Sequence, residues 1–280
     1  FALIKELLPQ YGIKINIVYL SYLDTLKQAI SKNTKVIFFE TPTNPSLDII
    51  DIKRVCALAK KCGVLVIVDS SFSTPIIQRP LGLGADIVIH SATKYLAGHA
   101  DTMGGFAISN NKNYLKLLKT KYLAKLGGIL SPFNAWLILR GIKTLALRMK
   151  QIEKNTLAVA QYLQSHPKID KITYPGFPSH PQHHIAKKQM SGFGGTICYE
   201  ICGNKKNAIN FVESLKLIKL ATCMGGTETL VCIPALMTHQ NYSQADFEKA
   251  NFSEKTIRLA IGLEDHEDII SDIDTALGSL

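Results

Sequence analysis

The chain has 280 residues, 46% of them hydrophobic, and a net charge of +10. That length supports a sizeable core in one large domain or two smaller ones. No apolar run approaches the roughly 18 residues that span a bilayer, and no signal-peptide pattern opens the sequence, so a membrane partner is not expected and a cytoplasmic location is.

The first element, FALIKELLPQYG, reads as the later part of a helix: Leu3, Leu7 and Leu8 share a face and Gly12 suits a stop. It starts at Phe1, without Met and mid-pattern, which reads as an N-terminal truncation. KVIFFE (35–40) is a short apolar run, DIKRVCALAKKC (51–62) a helix closed by Gly63, and VLVIVD (64–69) a strand buried on both faces. ADIVIH (85–90) and GGFAIS (104–109) are further strands, so this half predicts a doubly wound, mainly parallel α/β sheet. A boundary falls near GGILSPF (127–133). Beyond it come one or two long connector helices, a strand at GGTICYEI (194–201), a helix at KKNAINFVESL, a strand at TIRLAIG (256–262) and a final amphipathic helix. The expected division is a large domain over 1–130, and connector helices with a smaller C-terminal α/β domain over 131–280.

Positive charge is densest at Lys112, Lys116, Lys119, Lys121 and Lys125, which at helical spacing cover much of a helix surface. A solvated helix face accounts for them, and no nucleic-acid motif accompanies them, so no nucleic-acid partner is expected. The six cysteines form no C-x-x-C and no zinc-finger spacing, which points to buried free thiols. His180, His183 and His184 lie in a Pro-rich loop with poor ligand spacing and no adjacent acid, so no metal is expected there.

In parallel α/β sheets ligands bind beyond the carboxyl ends of the strands. VIFFE runs into Glu40-Thr41-Pro42-Thr43-Asn44-Pro45, VLVIV into Asp69-Ser70-Ser71, and DIVIH into Ser91-Ala92-Thr93-Lys94. If the strands are neighbours, carboxylate, hydroxyls and lysine meet in one crevice. Pyridoxal 5'-phosphate (PLP) needs such a set. Lys94 would take its aldehyde as a Schiff base, Asp69 would keep the pyridine nitrogen protonated, Ser91 and Thr93 would bind phosphate, and Asn44 could reach the ring's 3'-oxygen. Alone, a lysine after a strand is ordinary surface and an Asp there caps the next turn. Together, with Gly98, Gly104 and Gly105 permitting close backbone approach, they read as a phosphate-cofactor site with a reactive lysine.

The stretch VDSSFSTPIIQRPLGLGADIVIHSATKYLAGHADTMGG (68–105) resembles the cofactor signature of the Cys/Met-metabolism PLP-dependent enzymes. The likeness continues through FETPTNP, LSPFNAWLILRGIKTLALRM, YPGFPSHPQ, KKQMSGFGG, GGTETL and IRLAIGLEDHEDII. It implies the aspartate-aminotransferase-like fold (fold type I), PLP, and a homotetramer with active sites shared between subunits. It makes Lys94 the Schiff-base lysine, Asp69 the pyridinium partner, and Ser91 and Thr93 phosphate ligands. Arg258 becomes the α-carboxylate ligand, and Thr229 lies where the family has a Ser or Thr beside the substrate. Ser71 keeps a hydroxyl where the family has Asp-Asn-Thr, so cofactor binding is expected to survive. The implied reaction is γ-elimination or γ-replacement on cystathionine or an activated homoserine, with methionine γ-lyase or O-acetylhomoserine sulfhydrylase as alternatives. The family's N-terminal third, with its phosphate-binding and ring-stacking residues, has no counterpart in these 280 residues. A non-catalytic remnant is therefore the rival reading, separable by visible absorbance with and without added PLP.

Overall fold

The computed structural model describes residues 3–18 and 23–280. Leu3–Leu7 and Leu8–Gln10 are helical, and Gly12 takes φ +73° at the expected stop. Phe1, on which that expected helix opens, lies outside the described residues.

Four strands follow: β1 (Val36–Glu40), β2 (Leu65–Asp69), β3 (Ile87–Ser91) and β4 (Gly105–Ile108). They pair in chain order, β1–β2 and β2–β3 parallel and β3–β4 antiparallel. Between β1 and β2 runs α1 (Ile52–Lys61). Asp51 caps it by accepting the Arg54 N–H at 3.0 Å, and Gly63 ends it at φ +65°. Ile52, Val55, Cys56 and Ala59 recur at helical spacing and pack on Phe39, Val66, Val68 and Val88 of the sheet. Burying each of the larger side chains contributes roughly 1.5–3 kcal/mol.

The sequence predicts β2 buried on both faces, but only Val66 and Val68 are fully buried, while Leu65, Ile67 and Asp69 are half-covered. The reason is one-sided cover: α1 packs on the Val66–Val68 side of the sheet. Side chains alternate along a strand, so Glu40, Asp69 and Ser91 emerge together on the half-covered face. Glu40 and Asp69 are register partners at adjacent strand ends.

The connector is two helices, α2 (Pro132–Ile142) and α3 (Leu145–Ser165). The second sheet contains β5 (Ile169–Thr173), β6 (Thr196–Ile201), β7 (Lys219–Leu220), β8 (Leu230–Cys232) and β9 (Ile257–Ala260), in the order β5-β6-β9-β8-β7. It is antiparallel apart from β7–β8. Helices α4 (Lys205–Ser214) and α5 (His266–Gly278) supply Phe211, Ile269 and Ile273 to its core against Ile197 and Leu259. A separate apolar cluster joins the two halves, with Tyr95, Ile138, Met149, Cys198 and Ala260 among its members. It brings the end of β3 against the second sheet.

Lys112–Leu117, Leu118–Leu123 and Ala124–Leu126 are consecutive helical segments whose lysines are exposed, as expected of a solvated face. All six cysteines are free, but Cys62 and Cys202 are exposed and Cys223 is half-buried, so burial holds only for Cys56, Cys198 and Cys232. No helix among the described residues is long and apolar enough to cross a membrane.

Candidate active site

Ser91 ends β3, and the chain turns at once into the short helical segment Ala92–Leu96, within which Lys94 departs from helical dihedrals (φ −86°, ψ −137°). The buried Arg148 of α3 fixes this turn. Its guanidinium donates to Tyr95 O at 2.8 Å, Leu96 O at 3.4 Å and Gly141 O at 2.8 Å. Gly98, at φ +73°, lies so close that a Cβ there would collide with the guanidinium, and a Cβ at Gly141 would collide with the carbonyl of Ala97. With its backbone held this way, Lys94 extends its Nζ to 3.2 Å from Cys223 Sγ.

The other strand ends are tied to the same place. Asp69 Oδ1 accepts the Ser71 N–H at 2.9 Å, and Ser71 Oγ accepts the Ser91 N–H at 2.7 Å. The Ser91 hydroxyl makes no hydrogen bond among the described residues. Thr93 Oγ1 accepts the Gly104 N–H at 3.0 Å and donates to Gly104 O at 3.3 Å, a long bond from which its proton can turn away. Glu40 was not singled out from the sequence. Burial, and after it the neighbouring Asp69 carboxylate, push its pKa up to about 8, against the opposing pull of the Asn44 N–H and of Arg258.

Arg258 enters from β9, between Cys198 and Cys232 on the flanking strands. It is 2% exposed. Nη1 donates to Asn44 Oδ1 at 3.0 Å, and Nη2 to Thr222 O at 2.7 Å and Cys223 O at 3.2 Å. Among the described residues no carboxylate forms a salt bridge with it, and Nε is buried without a partner. A buried, fully charged guanidinium without an anion is costly, and it suits a site that receives one. Lys94, Cys223, Arg258 and Asn44 thus form one chain of contacts linking both sheets.

Thr229 is fully buried, its N–H and hydroxyl donate to the Glu264 carboxylate, and its oxygen accepts the Gly262 N–H. Its hydroxyl proton goes to Glu264, and the side chain that meets Lys94 is Cys223. Sequence reasoning missed Cys223 because it was grouped with buried thiols. Its position two residues before the GGTETL stretch was the available signal. The histidine loop is held by its own contacts. His183 Nδ1 is 2.8 Å from Pro175 O, and burial lowers the pKa of His180 to about 4.

The sequence profile of Cys/Met metabolism PLP-dependent enzymes matches residues 1–278. The chain belongs to that family. It is a PLP-dependent enzyme of sulfur amino-acid metabolism, with the α/β fold of that group. A cystathionine beta-lyase of Lactococcus lactis subsp. cremoris is 44% identical over 279 residues, 99% of this chain and 72% of the relative. An L-methionine gamma-lyase of Fusobacterium nucleatum subsp. polymorphum is 43% identical, over 99% of this chain and 70% of the relative. The crystal structure of cystathionine gamma-lyase from Lactobacillus plantarum, complexed with L-serine, superposes with a TM-score of 0.95 at 40% identity, covering 99% of this chain and 72% of that one.

Proposed function

We propose that this chain cleaves or exchanges a carbon–sulfur or carbon–oxygen bond at the γ-carbon of cystathionine or an activated homoserine, with Lys94 as the residue that holds PLP. The observation that carries the reading is the meeting of the Lys94 amine with the anion-less Arg258 through Cys223, on the side where Asp69 and Ser91 emerge. These residues fit the cofactor. Lys94 offers an amine for its aldehyde, Asp69 a carboxylate already oriented by the Ser71 N–H, and Ser91 an unengaged hydroxyl for its phosphate. Thr93 and Ser71 add hydroxyls at the same strand ends, and among the described residues the Asn44 side-chain nitrogen has no hydrogen-bond partner while its oxygen accepts from Arg258.

Bound PLP supplies an electron sink for charge that develops at the substrate's α-carbon. Asp69 would hold a proton on the pyridine nitrogen. Arg258 would receive the substrate α-carboxylate as a two-bond fork, oriented by Asn44 Oδ1. Lys94 Nζ would carry a proton between the α- and β-carbons of the substrate, and Cys223 marks where that amine rests. We take residues 1–130 as the cofactor domain and 131–280 as connector and small domain. Each sheet having its own apolar cluster supports this. We also propose a homotetramer in the cytoplasm. Met103, Leu126, Ile129, Phe133, Trp136 and Leu139 are all more than half exposed, an apolar surface of the kind a second copy covers.

Methionine γ-lyase is the second reading, favoured by the Fusobacterium relative at 43% identity. Borohydride reduction with PLP, then peptide mapping, tests the lysine: the expected label is on Lys94, and a label on another lysine overturns the assignment. Product analysis separates the reactions. Cystathionine cut at the γ-carbon releases cysteine and α-ketobutyrate, whereas cutting at the β-carbon releases homocysteine and pyruvate, and methionine γ-cleavage releases methanethiol.

A further inference from the structure

Cys223 is the one cysteine among the described residues whose sulfur is hydrogen-bonded to a lysine amine, at 3.2 Å from Lys94 Nζ. The pair is held from both sides. Arg258 Nη2 binds the carbonyls of Thr222 and Cys223, and Gly225, at φ +80°, lies so near the backbone of Lys94 and Tyr95 that a Cβ there would clash with both. On the lysine side, Arg148 fixes the carbonyls of Tyr95 and Leu96. Cys223 is half-buried, so small solutes reach it. By contrast, Cys198 is buried and bonded to Pro45 O at 2.8 Å.

We propose that Cys223 and Lys94 form a modification site for hydroperoxides, at which oxidation links the two side chains covalently and closes the lysine to PLP. In the first step the thiol attacks the peroxide O–O bond: Cys223–SH and ROOH give Cys223–SOH and ROH. Sulfur loses two electrons and the peroxide gains them. In the second step the lone pair of the Lys94 amine attacks sulfur, the S–O bond breaks, and hydroxide leaves with an amine proton as water. The product is a sulfur–nitrogen bond, a sulfenamide, formed without further redox change. Two atoms fixed at contact distance make this second step effectively unimolecular, which favours it over capture by a thiol from solution. Two equivalents of added thiol reverse it, becoming a disulfide while Cys223 and Lys94 regain their hydrogens. The link itself needs only the geometry. Its effect on the cofactor rests on Lys94 being the PLP lysine.

The full chain is stripped of PLP with hydroxylamine, treated with graded hydrogen peroxide with or without restored PLP, alkylated, digested and mapped by mass spectrometry. The expected result is a pair of peptides joined at Lys94 and Cys223, lighter by two hydrogens than their sum. It should disappear with dithiothreitol, in Cys223→Ser, and in the PLP-restored sample, with PLP uptake by visible absorbance lost and regained in step. Thermal melting of Cys223→Ser checks that it is folded. A Cys223 oxidised to sulfenic or sulfinic acid beside an unmodified Lys94 overturns the proposal, as does a Cys223 that stays reduced while Cys62 and Cys202 oxidise. Linked peptides together with a borohydride-fixed PLP on another lysine sustain the site and overturn the cofactor assignment instead.

Discussion

Replacing Glu40 by Gln tests the electrostatics of the strand ends directly. Burial and the Asp69 carboxylate hold the Glu40 pKa at about 8, against an ordinary value of 4.5. In the folded protein without PLP, Glu40 therefore keeps its proton across a range in which the unfolded chain has lost it. The native state binds more protons between those two values, so this group makes stability fall as pH rises from about 4.5 to 8. At about 1.36 kcal/mol per pH unit, the interval from 4.5 to about 8 corresponds to about 5 kcal/mol, an upper figure because Glu40 keeps some contact with solvent. Gln matches the protonated acid in shape and leaves an oxygen for the Asn44 N–H. Near pH 5, PLP-free wild type and Glu40→Gln should melt together. Toward pH 8 the variant should become progressively more stable, by up to several kcal/mol. Urea unfolding curves at closely spaced pH values measure the difference. Parallel pH profiles for the two proteins would refute the argument, because they would mean that Glu40 ionises in place without cost.

Three further outcomes follow from the same geometry. Asp69→Asn should retain PLP on Lys94 but lose most turnover, since an amide cannot keep a pyridine nitrogen protonated; the check is kcat beside visible absorbance, and unchanged kcat would leave Asp69 as a turn cap. Arg258→Ala should keep the cofactor and weaken amino-acid binding by roughly two charge-assisted hydrogen bonds, each about 1.5–3 kcal/mol, seen as a rise in KM during titration with cystathionine. Gly141→Ala should destabilise the fold by about 1–3 kcal/mol and displace the lysine turn, because its methyl meets the Ala97 carbonyl; a lowered Tm together with reduced PLP uptake is the expected pair of readings.

The strand ends were legible because period-two alternation and position fix them. Asp69 and Ser91 fall on one face whatever the rest of the chain does. The helix over Ile52–Lys61 was equally plain from its apolar spacing and its Asp51 and Gly63 boundaries. Less visible were β5, β7 and β8. Ile169–Thr173 interleaves Asp170 and Lys171 with its apolar residues, and Lys219–Leu220 is too short to show a period. The one-sided cover of the first sheet was hidden as well, since VLVIVD is apolar at both faces and only the packing of α1 decides which one is sealed. Cys223 and Thr229 stand six positions apart, in a stretch with no regular period, so nothing local indicated which of them meets Lys94.

The packing of Arg148 against Gly98 carries a consequence for how such sequences can change over time. The guanidinium occupies the space a side chain at position 98 would need, and it also holds two carbonyls of the turn, those of Tyr95 and Leu96, together with the carbonyl of Gly141. A drift to alanine at 98 is unfavourable while arginine stays at 148, and loss of the arginine leaves those carbonyls without their donor. Neither position is free to mutate by itself. Across related chains the two are expected to covary: wherever 148 becomes a shorter residue, 98 becomes open to larger ones, subject to its left-handed φ, and a compensating donor must appear for the carbonyls of Tyr95 and Leu96. A sequence survey in which position 98 diversifies freely beside an unchanged arginine would show that the turn around the lysine is less tightly determined than its packing implies.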